Sequence, residues 1–165
     1  MKQIKKLPAL AAGAVALVLV LGAGTAVAEP QVKVDKNGYV TKITKLKVID
    51  DVGDTTKYTV KFKYDTAANL YKKNGFDFKS EENALIALIA AQEALNNTSP
   101  VPKKASSVGN KQFFIGLEVE QNTFVAGIGA EFISGVWDDC EENCKAGVGS
   151  GKANENYTWA TFTEQ

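Results

Sequence analysis

Histidine and arginine are absent from the 165-residue sequence, and its single methionine is Met1. Without histidine, the chain has no Ser-His-Asp triad, no Cys-His dyad, no histidine-bearing zinc site and no histidine ligand for haem. Without arginine, it lacks the planar group that binds phosphates and carboxylates through two parallel hydrogen bonds. Any catalysis would therefore depend on Lys, Asp, Glu, Tyr, Ser, Thr or the two cysteines.

The first residues are basic and then apolar. Three lysines within the first six residues precede an apolar and small-residue run from Leu7 to Ala28, which ends Ala-Val-Ala. These are the three parts of a secretory signal peptide. We expect residues 1–28 to be removed and residues 29–165 to form one small exported domain, periplasmic or extracellular, with no stable membrane span. An uncleaved anchor is the alternative, because about twenty residues can span a bilayer.

Charge is distributed unevenly along the predicted domain. Cleavage would leave sixteen lysines and nineteen acids, a net charge of −3, which argues against nucleic-acid binding. Residues 33–79 hold eleven lysines and six acids, whereas residues 112–165 hold two lysines and nine acids. We interpret these as two solvated faces that attract each other. The alternative is a dipolar surface that orients a charged partner.

Hydrophobic patterning predicts five strands and one helix. After a polar lead-in over residues 29–38, alternation predicts an antiparallel hairpin, then a helix with Ser80 as its N-cap, apolar on nearly all sides, and then a second hairpin. The expected elements are strands Tyr39–Ile49 and Thr56–Asp65, helix Ala84–Leu95, a hairpin about Gln121-Asn122 and a last strand Tyr157–Thr163. We therefore expect an α+β fold: an antiparallel sheet of four to five strands, in the order β-β-α-β-β-β, with one buried helix on one face.

Two glycine-rich stretches need an interpretation. Gly127 and Gly129 alternate with apolar residues in a predicted strand, where they would leave room for a small apolar ligand or for neighbouring core side chains. Residues 147–152, Gly-Val-Gly-Ser-Gly-Lys, resemble a phosphate-binding loop only superficially, because the required Gly and Ser/Thr positions are Ala. We expect that second stretch to be a flexible connector.

Cys140 and Cys144 lie four residues apart in a segment that reads as a short helix. That spacing places two helical Cα atoms about 6 Å apart, within disulfide range, and cysteines of exported proteins are usually paired. We expect a local disulfide. A redox pair is the alternative, but the spacing is not C-x-x-C and the surrounding acids would raise a thiol pKa.

The acids around those cysteines are a weak candidate calcium site. Carboxylates at Asp138, Asp139, Glu141 and Glu142 are the hard oxygen ligands that calcium prefers, although the fixed spacing of an EF-hand loop is missing.

We predict no catalytic residue and no cofactor. The expected function is a non-catalytic binding or interaction domain, with an unknown partner protein or a small apolar molecule as its ligand. One alternative is a carboxylate-dependent hydrolase, because Glu118, Glu120 and Glu131 fall on neighbouring predicted strands. The other is a calcium-binding or thiol-redox module.

Overall fold

The structure, a computed structural model, describes residues 29–72, 75–120, 124–138, 149–152 and 154–165. The predicted signal peptide and the predicted Cys140–Cys144 disulfide lie outside the described residues. Within them the chain forms eight strands and two helices: β1 (Gln31–Val34), β2 (Val40–Ile49), β3 (Thr55–Thr66), α1 (Ala67–Leu70), α2 (Glu81–Asn96), β4 (Gln112–Glu120), β5 (Phe124–Ile133), β6 (Val136–Trp137), β7 (Gly149–Lys152) and β8 (Asn156–Glu164).

The expected fold class is wrong. The strands form one mixed, curled sheet in the order β1-β2-β3-β8-β4-β5-β6, with β7 also paired to β5. It therefore has more than the four to five strands expected, and it is not purely antiparallel, because β4 and β8 run parallel. Two of the extra strands are β1, in the supposed polar lead-in, and β7, in the supposed flexible connector. Both pair through the main chain, which needs no apolar side chains.

The main core lies between helix α2 and one face of the sheet. Successive residues of a strand point to opposite faces, so Ile43 of β2 and Val60 and Phe62 of β3 face the helix and are buried. Phe113 and Ile115 extend the same core onto β4. A second, smaller cluster of Ala67, Tyr71, Val125 and Trp159 lies on the opposite face, under α1.

Helix α2 begins after Ser80, whose hydroxyl accepts a hydrogen bond from the Asn83 N–H at 3.2 Å, as the sequence predicts. The prediction that it is buried on nearly all sides is wrong, since Leu85 and Ile89 are 40% and 37% exposed. The contact with the sheet is made by a stripe of small and apolar residues: Ala84, Ala87, Leu88, Ala91, Ala94 and Leu95. No helix among the described residues is long and apolar enough to cross a membrane.

The segment after α1 fills a gap in the sheet. Strands β4 and β8 share only the register pair Phe114–Trp159, and beyond it they separate. There the Tyr71 hydroxyl accepts a hydrogen bond from the Gly116 N–H at 3.4 Å. The Asp77 carboxylate accepts one from the Phe162 N–H at 3.0 Å. These side chains satisfy strand amides that no neighbouring strand reaches.

Gln92 is a polar side chain in the core with no hydrogen-bond partner among the described residues. It is fully buried, and neither its amide nitrogen nor its amide oxygen has a hydrogen-bond partner. Gln92→Met keeps the unbranched shape and the helix propensity while removing both unsatisfied atoms. We expect the free energy of unfolding to rise by about 1–2 kcal/mol in urea titrations. The control Gln31→Met, on an exposed edge strand, should change it by less than about 0.5 kcal/mol. A loss of stability in Gln92→Met would contradict this reading of the core.

Asp77 gives the fold a specific pH dependence. Burial raises the pKa of its carboxyl to about 6, against the lowering effects of the Phe162 N–H and of Lys63. Because the folded-state pKa exceeds the unfolded value of about 4, its contribution to stability is present below about pH 4 and is lost as pH rises through about 6.

Asp77→Asn keeps an oxygen acceptor for the Phe162 N–H and removes the titration. We expect the stability of this variant relative to wild type to increase by about 1 kcal/mol between about pH 4 and pH 7, after allowance for solvent screening. Urea unfolding across that pH range measures the difference. A difference that does not change with pH would show that Asp77 titrates normally.

Candidate functional site

A slot opens between β4 and β8 at their amino ends. Because the two strands share one register pair, they separate on that side of Phe114–Trp159 too. Among the described residues no segment fills the space here, and a cavity of about 380 Å³ is found. That volume falls within the range of small-molecule sites. The described residues that line the slot are Tyr64, Asn110, Lys111, Gln112, Phe114, Glu131, Asn156, Tyr157 and Thr158.

Most of the polar groups at the slot are not engaged by the protein itself. Within the described part of the chain, no side-chain hydrogen bond or salt bridge involves five of them: Tyr64, Lys111, Gln112, Glu131 and Asn156. They supply a hydroxyl, an ammonium, a carboxylate and two amides. A ligand that enters the slot therefore meets donors and acceptors of every common type without having to displace an internal partner.

Aromatic rings form one wall of the slot. The ring centroids of Phe114 and Tyr157 are 5.9 Å apart in an edge-to-face arrangement, and each packs near Trp159. The Tyr157 hydroxyl donates a hydrogen bond to Glu155 at 2.9 Å, and this bond raises the pKa of Tyr157. The hydroxyl therefore stays protonated and the ring is held in one orientation.

The opposite wall is a buried polar cluster. Thr158 of β8 is almost fully buried and its hydroxyl accepts a hydrogen bond from the Asn110 amide at 2.8 Å. The hydroxyls of Thr158 and Ser106 lie 3.1 Å apart, so the same cluster also fixes the loop before β4. Gly109 turns this loop with a φ of +70°, and the Tyr39 ring packs directly against its backbone. This wall is therefore preorganised.

Paired-carboxylate chemistry does not fit the slot. Of the described residues that line it, only Glu131 is acidic. Glu131 is in register with Gln112 at the start of β4, whereas Glu118 and Glu120 lie at the far end of that strand. Six residues of strand separate Gln112 from Glu118, which is about 20 Å. Glycoside-hydrolysing carboxylates are separated by about 5–9.5 Å, so Glu118 and Glu120 lie too far from Glu131 to act with it. Asp138, which opposes Glu131 on the neighbouring strand, is not among the described residues that line the slot.

The other predicted site lies mostly outside the described residues. Cys140, Cys144, Asp139, Glu141 and Glu142 belong to that part of the chain. Asp138 is described, and its backbone N–H donates to the Glu131 carbonyl at 2.9 Å, at the end of β6. No group of three metal-ligating side chains occurs within the ranges that the structure describes.

The space above the strand glycines is occupied by the protein. A Cβ added to Gly129 would lie 2.5 Å from the Phe114 ring, and one added to Gly127 would lie 3.4 Å from Trp159. Gly129 therefore makes room for the Phe114 ring, and Gly127 for the Ile115 carbonyl, which would lie 2.9 Å from an added Cβ, and for the edge of Trp159. Of the two interpretations of these glycines, the structure therefore favours neighbouring core side chains over a small apolar ligand at this position.

Sequence reasoning did not find the slot. Its residues come from four strands and one loop, and the contact between β4 and β8 joins residues more than forty positions apart. The local signals were the polar triplet Asn110-Lys111-Gln112 before β4 and Asn156-Tyr157 at the start of β8. Each of these polar segments is typical of a boundary between a loop and a strand. They form a candidate site only because the fold brings them together.

The comparisons with known proteins add no assignment. No family model, no curated protein and no solved structure matches the chain. The slot must be interpreted from its own chemistry.

Gly129→Ala tests how the aromatic wall is held. The new methyl group would displace the Phe114 ring, and overpacking of this kind costs about 1–3 kcal/mol. We expect that loss in urea unfolding of the single variant. In a Phe114→Leu background the same change should cost clearly less, because the ring that clashes is gone. If Gly129→Ala lowers the free energy of unfolding equally in both backgrounds, its clash is not with the Phe114 ring.

Proposed function

We propose that this chain is an exported, non-catalytic binding domain and that the slot between β4 and β8 holds its ligand. The observation that carries the proposal is the set of unengaged polar side chains that surround Phe114 and Tyr157. Four of these side chains are exposed and Glu131 is half-buried, so water can solvate them in the free domain and a ligand can reach them. Their convergence beside two rings favours a bound molecule.

The lining indicates a ligand with both a flat apolar face and several hydroxyl or amide groups. Aromatic rings pack against the apolar face of such a molecule, and amides bind its hydroxyls because an amide is both donor and acceptor. A neutral sugar has both features. The polar lining makes a small apolar molecule a poorer fit, because its burial would leave Gln112 and Asn156 without water or partners.

The absence of histidine supports binding over catalysis. Among the described residues that line the slot, Lys111 is the other charged side chain beside Glu131, and Glu131 supplies the single carboxylate. A single carboxylate can orient a hydroxyl through a hydrogen bond, but acid–base hydrolysis of a glycosidic bond uses two carboxylates.

Titration with soluble neutral mono- and oligosaccharides tests the proposal. Amide NMR signals of residues 110–114 and 156–158 should shift, and the Gln112→Ala variant should bind about three- to tenfold more weakly, the effect of one lost hydrogen bond. Gln31→Ala, an exposed glutamine on β1, is the matched control and should bind as wild type does.

Two results would contradict the proposal. One is the absence of binding to every sugar in the panel. The other is binding that neither Gln112→Ala nor Glu131→Gln weakens. If the wild-type protein cleaves a bound sugar and the Glu131→Gln variant does not, the protein is an enzyme and not a binding domain.

A further inference from the structure

The face of the sheet opposite helix α2 carries a row of lysines across β1, β2 and β3. Lys33 is in register with Lys42, and Lys42 is in register with Lys61. Lys47 and Lys57 form a second directly opposed pair on the same two strands, β2 and β3. We call these five residues the lysine face.

Alternation along each strand places all five side chains on the same side. Their sequence neighbours Val32, Ile43, Leu46, Val60 and Phe62 pack in the core under α2, so the lysines point away from it. Four of the lysines are exposed and Lys42 is half-buried. No salt bridge joins any of them to an acid within the described ranges of the chain.

This arrangement works against stability in the isolated domain. Directly opposed residues of antiparallel strands have Cβ atoms about 4.5–5.5 Å apart, and like charges in such pairs are destabilising. Acids lie at the margin of the face instead: Asp65 and Asp77 both interact electrostatically with Lys63, the next lysine along β3. The centre of the lysine face has no such compensation.

The residues between the lysines restrict the kind of partner. They are polar and mostly hydroxyl-bearing, with Thr44, Thr59, Thr161 and Thr163 on the same face of β2, β3 and β8. Stacking of single-stranded nucleic acid needs exposed aromatic rings, and insertion into a membrane needs an apolar anchor. Between its lysines the face offers charge and hydroxyl groups, and the half-exposed Ile49 lies at its margin, beyond Lys47 on β2.

We propose that the lysine face is a docking surface for an anionic polysaccharide. Repeated sulfate or carboxylate groups would complement the row of ammonium groups and remove its internal repulsion. Lysine suits a polymer that is held by charge, because its flexible, single-point ammonium follows a chain that lacks one fixed geometry. This proposal is independent of the slot, because none of the five lysines lines the slot and the slot takes a neutral ring.

Dextran sulfate and polygalacturonate are the probes, with neutral dextran as the negative control. We expect micromolar or tighter binding to at least one anionic polymer at low ionic strength and a steep loss of affinity with added salt. The variant Lys33→Gln/Lys42→Gln/Lys61→Gln should bind at least tenfold more weakly. Its thermal unfolding midpoint should be unchanged or higher, because repulsion is relieved, so that weak binding cannot be attributed to unfolding.

The control Lys79→Gln/Lys103→Gln/Lys104→Gln makes the same change in net charge outside the strands. Its affinity should fall by less than threefold. Equal weakening of the two triple variants would overturn the proposal, since net charge alone would then explain binding. Tighter binding to single-stranded DNA or to phosphatidylglycerol vesicles than to either polysaccharide would also overturn the proposal. A wild-type protein that binds neither polysaccharide would overturn it too, and this is the result expected if acids of this chain occupy the face.

Discussion

The position of the last strand, β8, is the constraint on which the rest of the structure depends. It pairs with β3 along its whole length, from Tyr58–Glu164 to Thr66–Asn156, and it meets β4 only at Phe114–Trp159. Without β8, the hairpin β2–β3 and the hairpin β4–β5 would be separate units. The core under α2 is shared by both hairpins, so this strand also decides whether the helix has one continuous surface to pack on.

The single contact between β4 and β8 has opposite consequences at its two ends. At the carboxyl ends of the strands, Tyr71 and Asp77 enter the gap and bind the free amides, at the cost of a buried carboxyl whose pKa rises to about 6. At the amino ends no side chain of the described segments bridges the two strands in this way, and the gap forms the slot. The incomplete pairing of β4 with β8 is thus filled by Tyr71 and Asp77 at one end and forms a candidate binding site at the other.

The sequence predicted local elements well and long-range pairing poorly. Period-two alternation located β2, β3 and β8 to within a few residues, and Ser80 marked the start of α2, because each signal lies within one segment. The parallel contact of β4 with β8 and the slot beside it depend on residues far apart in the chain, for which alternation gives no register. Edge strands β1 and β7 were missed because main-chain pairing leaves little trace in side-chain patterning.

Three features of the domain leave polar or charged side chains without a partner among the described residues, and they differ in whether a ligand can reach them. Gln92 is sealed inside the core, so its unsatisfied amide can gain nothing from a ligand. The unengaged groups of the slot and the opposed lysines of β1–β3 face solvent, where a ligand can reach both. Side chains that do not serve the stability of the fold and that a ligand can reach are expected at functional sites. That distinction favours the slot and the lysine face over the core as the places where this protein meets other molecules.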